Sequence, residues 1–380
     1  MLHKSLLFSA LSVALCFNAF AKPLPENVIS AMFKEAVNHD TVPGITMALG
    51  NEKGIMMAEG FGYADVENHV AMTPHHKVRI GSVSKLIATA AMMRLYDEGK
   101  IDLEAPVTDY VAAWLEDKPV ITLRQLASHT AGIRHYKEGA NEFLLNETFP
   151  DINSALAMFK DDPLEFSPGT DFSYSTFAWT LVSAAMEGAD GNRDFRQIIE
   201  QEVFAPLALK ETVFDDQFTI IENRARPYTT EEGILINAPQ TDHSYKWAGG
   251  GFIASPSDIV RFAVAHVASD YLASETTKSM FTRATLNNGD EVGYGIGWKV
   301  GFGDYREREA YKDNVEALKL MDDIPTAVMH SGGSMGGITM TILCRDHNTA
   351  VTVVKNVSGE KNADVFMLAL KTLHYAHTSY

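Results

Sequence analysis

The chain has 380 residues, two cysteines and a formal net charge of −17. Such acidity argues against nucleic acid and anionic lipid surfaces as partners, since both repel it. At this length, with 46% hydrophobic residues, the chain can build a core that stands without cross-links.

Met1 to Ala21 reads as a secretory signal. Lys4 supplies the positive end, Leu6 to Phe17 forms an apolar run too short to span a bilayer, and Ala19-Phe20-Ala21 is the cleavage site ahead of Lys22. Cys16 follows the apolar run, but Leu15 stands where a lipoprotein signal needs a small residue. The expectation is a secreted or periplasmic protein, residues 22–380, with Cys344 as its only thiol and hence no internal disulfide. No later segment is long and apolar enough to be a transmembrane helix.

Gly44 to Gly50 and Gly54 to Gly60 flank Asn51-Glu52-Lys53, the pattern of a β-hairpin with a polar turn. Ser82-Val83-Ser84-Lys85 then opens an Ala-, Leu- and Met-rich run that favours helix and closes near Gly99. Three residues is nearly one helical turn, so Ser82 and Lys85 share a face. A serine hydroxyl is a weak nucleophile until a neighbour takes its proton. Lys85 suits that role only if burial or a nearby cation lowers its pKa.

From about 100 to 240, helical runs alternate with Pro and Gly breaks, with helix expected at Ser154 to Phe159 and Thr180 to Glu187. Within this stretch Pro168-Gly169 marks a turn, and Tyr174 follows on a loop from which it can reach a cleft and carry a proton. Tyr294 to Val300, Ile338 to Cys344 and Ala350 to Lys355 are strand-like, and Ala363 to Tyr375 reads as a helix. Tyr305 to Asp323 is densely charged and is expected to be an exposed excursion. Strands at both ends around a helical middle indicate an α+β fold: an antiparallel sheet flanked by helices, with a largely helical subdomain at about 100–240.

His330-Ser331-Gly332-Gly333 sits on a glycine-rich edge whose amides can hold a developing oxyanion. The overlapping Gly332-Gly333-Ser334-Met335-Gly336 matches a nucleophile elbow, but that motif needs a following helix and Ile338 to Leu343 is strand-like. Gly293 to Gly297 lacks the spacing and the βαβ setting of a dinucleotide loop. His75-His76 has no companion ligands at metal spacing, so neither metal nor cofactor is implied.

Ser82-Val83-Ser84-Lys85, Tyr174-Ser175-Thr176 and His330-Ser331-Gly332 fall in the order S-x-x-K, Y-x-N and K/H-T-G. In this the chain resembles the serine β-lactamase and penicillin-binding-protein superfamily. Gly60 to Asp65, Leu126 to Ile133 and Ala248 to Pro256 match further family segments, so the resemblance runs from about 27 to 375. Ser128 to Tyr136 and Phe159 to Leu164 look most like the class C-like branch of the mitochondrial serine β-lactamase-like protein and its bacterial relatives. The resemblance implies a cleft between an α/β sandwich and a helical subdomain. It makes Ser82 the nucleophile, Lys85 its base and Tyr174 a proton carrier. The backbone amides of Ser82 and Gly333 would form the oxyanion hole, with Thr176, His330, Ser331 and Gly332 binding substrate.

Two departures stand out. Thr176 replaces the usual Asn, and His330 replaces the Lys usual in β-lactamases, which weakens the case for penicillin hydrolysis. The expected activity is a serine hydrolase acting on a small-molecule, peptide or ester substrate, with a peptidase or esterase ahead of a DD-carboxypeptidase or weak β-lactamase. The rival reading is a non-catalytic scaffold or filament-forming member that uses the Tyr305 to Asp323 surface. The sequence itself offers no support for an oligomer.

Overall fold

A computed structural model describes residues 26–114, 118–359 and 363–378. The expected signal segment 1–21 and Cys16 lie outside the described residues.

The expected hairpin is present as β1 (Gly44–Asn51) and β2 (Gly54–Asp65), extended by the short β3 (Val70–Ala71). From the C-terminal part come β4 (Lys299–Val300), β5 (Ala327–Ser334), β6 (Gly337–Cys344) and β7 (Thr349–Lys355). Together they form a seven-stranded antiparallel sheet in the order β3-β2-β1-β7-β6-β5-β4. The join between the two ends of the chain is the β1–β7 ladder, in which Ile45 faces Lys355 and Gly50 faces Ala350.

Both faces of this sheet are covered, so its central strands read as nearly continuous apolar runs. Side chains alternate across a strand. Ile45, Met47 and Leu49 therefore point to one core, shared with α1 (Glu26–Ala36) and the C-terminal helix Val365–Thr378. Ala48 belongs to the opposite core, with Ile259, Val260 and Val264 of the helix Pro256–Ala268. That second core continues into α2 (Ser84–Asp97) and α3 (Phe177–Asp190). Nearly every position of α2 is buried, which places it in the centre of the molecule.

Three sequence expectations need correction. The 100–240 region is less helical than expected: α3 is its one long helix, and strands occur at Thr212–Phe214, Tyr228–Glu231 and Ile234–Asn237. Of Tyr294 to Val300 only β4 is a strand, because the chain bends through Gly297 at φ +74. The charged excursion is a packed unit. Its helices Gly303–Arg306 and Val315–Asp322 send Tyr305, Leu320 and Met321 inward, and the rings of Tyr305 and Tyr311 lie tilted against Phe366.

Candidate active site

Ser82 is presented by a short 3₁₀ turn, Gly81–Val83, directly ahead of α2 rather than within it. Gly81 enters that turn at φ +51, and a Cβ there would lie 2.6 Å from the Gly333 carbonyl oxygen. Gly332 is tighter still, since a Cβ on it would lie 1.8 Å from the Ile80 carbonyl. The small residues of β5 thus let its edge close against the backbone of the serine turn. A second, three-stranded sheet pairs Arg79 with Ile253 and so brings Gly249 and Gly250 to the other side of the same turn. Tyr174 and Thr176 arrive from the loop before α3.

The resulting cleft, of about 100 Å³, is lined by Ser82, Tyr174, Thr176, Gly249 and Gly333, together with Lys246 and a wall of aromatic rings. A larger cavity of about 540 Å³ elsewhere, bounded by Arg124, Lys278, Arg283 and Asn287, contains none of these groups.

Lys85 is completely buried, in the first turn of α2. Its Nζ lies 2.9 Å from Ser82 Oγ, 2.7 Å from the Gly249 carbonyl and 3.4 Å from Thr176 Oγ1. Burial, and then the positive charge of Lys246, hold its pKa well below the ordinary 10.5. A neutral amine has two N–H donors and one lone pair. Donating to Gly249 and Thr176 leaves that lone pair for the Ser82 hydroxyl.

Tyr174 is half-buried, its phenol is near enough to Ser82 to feel its hydroxyl, and Lys85 Nζ sits 5.0 Å from its ring centroid. Burial raises its pKa, so the phenol keeps its proton. His129 fixes the loop from behind. Its Nδ1 accepts the Ser175 N–H at 3.1 Å, and its ring lies 4.4 Å from that of Tyr174. His135 does the same for the next residue, accepting the Thr176 N–H at 3.2 Å.

The structure therefore brings together Ser82, Lys85, Tyr174, Thr176 and Gly333. The other three expected substrate contacts do not line the cleft. His330 is 1% exposed and sits behind Tyr174, with Nε2 2.6 Å from the Tyr294 hydroxyl and Nδ1 2.6 Å from the Ser331 carbonyl oxygen. Desolvation, reinforced by the Lys85 charge, lowers its pKa to about 3, so it is a neutral packing group. The Ser331 side chain lies near the Tyr305 phenol and does not line the cleft. Gly332 serves close packing against Ile80. Ser334, the serine of the elbow-like decoy, is buried on β5 beside His243, and the chain turns there into another strand.

His129, His135, Gly249 and Gly250 fall inside the matching segments Leu126 to Ile133, Ser128 to Tyr136 and Ala248 to Pro256, whereas Lys246 lies outside all of them. Cys344 at the end of β6, His347 in the turn after it and His377 of the C-terminal helix also place their ligand atoms within 4.8 Å of one another.

The beta-lactamase family model matches residues 29–374. The human protein "Serine beta-lactamase-like protein LACTB, mitochondrial" is 29% identical, over 80% of this chain and 73% of its own length. Esterase EstB of Burkholderia gladioli is 24% identical, over 72% of this chain and 78% of its own. The crystal structure of D-amino acid amidase from Ochrobactrum anthropi SV3 complexed with L-phenylalanine superposes with a TM-score of 0.76 at 19% identity, covering 93% of this chain and 99% of that one.

Proposed function

This chain belongs to the beta-lactamase family, and from that premise we propose that it is an exported serine hydrolase acting through an acyl-enzyme on Ser82, with a peptide or ester as substrate. The observation that carries this reading is the buried Lys85 Nζ, held 2.9 Å from Ser82 Oγ with its pKa lowered. A lysine so placed is a general base at neutral pH, and activity should rise with pH as Lys85 loses its proton.

Ser82 Oγ attacks the carbonyl carbon while its proton passes to Lys85 Nζ. The oxyanion faces the amides of Ser82 and Gly333. Collapse breaks the bond to the leaving group, which takes a proton from the Tyr174 phenol as that phenol is reprotonated from Lys85. Water then attacks the acyl carbon by the same route in reverse and frees Ser82. Each oxyanion donor in such a site contributes roughly 10²–10³ in rate.

Among the alternatives, DD-carboxypeptidase and weak β-lactamase activity rank below peptidase or esterase. The strand position that would meet a penicillin carboxylate holds a neutral, buried imidazole. A scaffold role needs none of the Ser82–Lys85–Tyr174 geometry. A fluorophosphonate probe should add one mass adduct to the protein and none to a Ser82→Ala variant. Equal labelling of the two would refute the acyl-enzyme, and light scattering on the same samples would report any filament. Export predicts that protein recovered from the periplasmic fraction begins at Lys22.

A further inference from the structure

Two buried lysines stand at the site, Lys85 behind Ser82 and Lys246 on the cleft wall, and their surroundings differ. Lys85 has three hydrogen-bond partners. Lys246 is 3% exposed and lines the same cleft, yet among the described residues its ammonium has neither a hydrogen-bond acceptor nor an ion-pair partner. It is surrounded by ring faces instead: Nζ lies 4.5 Å from the Phe143 centroid, 5.3 Å from Tyr245 and 5.9 Å from Tyr136.

The carboxylates in this region are already committed. Asp215 receives Arg79 at 2.8 Å and pairs with Arg224, and His243 Nδ1 lies 2.9 Å from it. Asp242 accepts from Thr148 at 2.7 Å and Gln217 at 2.6 Å. Among the described residues no carboxylate lines the cleft. The nearby His135 and His243 are neutral, held by burial at about 4 and about 3. Burial and the nearby Arg79 charge lower the Lys246 pKa to about 7 against the pull of Asp215, so the amine needs an anion beside it to hold its proton, inside a chain whose net charge is −17. Ring faces attract a cation but do not neutralise it, and a buried ammonium without an anion is costly. Such a group, open to a catalytic cleft, calls for a ligand that brings the counter-charge.

We infer that Lys246 is the anion-recognition group of this site, receiving a carboxylate carried by the acyl part of the substrate. The inference rests on the acyl-enzyme reading above. The side is assigned from the two walls of the cleft. Tyr174, which protonates the leaving group, packs with His129, Tyr294 and His330. Lys246 stands across from it with Tyr136 and Phe143, joined to Tyr174 through the His135 ring, and the acyl chain is assigned to that side. The preferred donor is thus an ester or amide of a short acid that carries a second, free carboxylate.

The test compares two p-nitrophenyl esters of equal chain length, hexanoate and the mono-ester of adipic acid. Wild-type protein should favour the adipate by kcat/KM. In Lys246→Met that preference should fall about tenfold or more, the scale of one lost charge-assisted contact, while Lys246→Arg keeps it. Both esters use the same Ser82 and Lys85, so any effect of the lost charge on Lys85 cancels in the ratio. A ratio unchanged between wild type and Lys246→Met overturns the assignment and leaves Lys246 as a ring-caged structural cation.

Should the Met variant fail to fold, wild-type protein alone decides. Free adipate should slow fluorophosphonate labelling of Ser82 and hexan-1-ol should not; equal labelling rates with adipate and hexan-1-ol overturn the assignment. A wild type that hydrolyses neither ester and takes up no fluorophosphonate refutes the acyl-enzyme reading itself, and the inference with it.

Discussion

The two walls of the cleft bury polar groups to similar depth, yet only one of them is electrically closed. On the Tyr174 wall the imidazole of His330 has both nitrogens bonded, to Tyr294 and Ser331, and burial keeps His129 and His330 neutral. On the opposite wall the Lys246 ammonium is as deeply buried and has only ring faces around it. Depth of burial therefore does not separate structural from functional groups here. What separates them is whether a buried charge has a protein partner; His129 Nε2 lacks one too, but it belongs to a neutral ring.

This contrast predicts that damage to the Tyr174 wall changes the rate or stability for every substrate, whereas damage to the Lys246 wall changes substrate choice. The largest effect belongs to Tyr174→Phe. It should lower kcat by about 10²–10³ for hexanoate and adipate esters alike, leaving their ratio intact in steady-state assays. A variant that keeps most of its kcat would show that the phenol carries no proton.

Gly332→Ala comes next. Its new Cβ would lie 1.8 Å from the Ile80 carbonyl and 3.1 Å from Ser82 N. The strand edge must shift, which should cost about 1–3 kcal/mol in urea unfolding and slow fluorophosphonate labelling of Ser82. Unchanged stability would mean that β5 and the serine turn are not locked together. The smallest effect is expected for Tyr294→Phe. It strips His330 Nε2 of its partner inside the core, at about 1–2 kcal/mol, with kcat held within about twofold because neither ring touches the reacting atoms. A large fall in kcat would instead return His330 to the chemistry, as the sequence motif had implied.

Legibility followed range. The Gly44 to Gly60 hairpin, the helix opened by Ser82 to Lys85, and the strands of residues 338–344 and 350–355 were readable because each carries its own periodicity and turn residues. The order of the three motifs was equally plain, and it identified Ser82, Lys85 and Tyr174 as a group. The charged run from Tyr305 to Asp323 misled because its inward residues, Tyr305, Leu320 and Met321, are sparse among charges that stay outside.

By itself the sequence determined the local elements and which residue types were available for acyl transfer. Only the tertiary structure decided their environments. Whether Lys85 is neutral depends on burial by segments far along the chain and on the charge of Lys246. Whether His330 meets substrate depends on Tyr294, 36 residues away. Whether Lys246 has a counter-ion depends on Asp215 being committed to Arg79, Arg224 and His243. Desolvation and the pairing of charges belong to the whole fold, and no local pattern of residues encodes them.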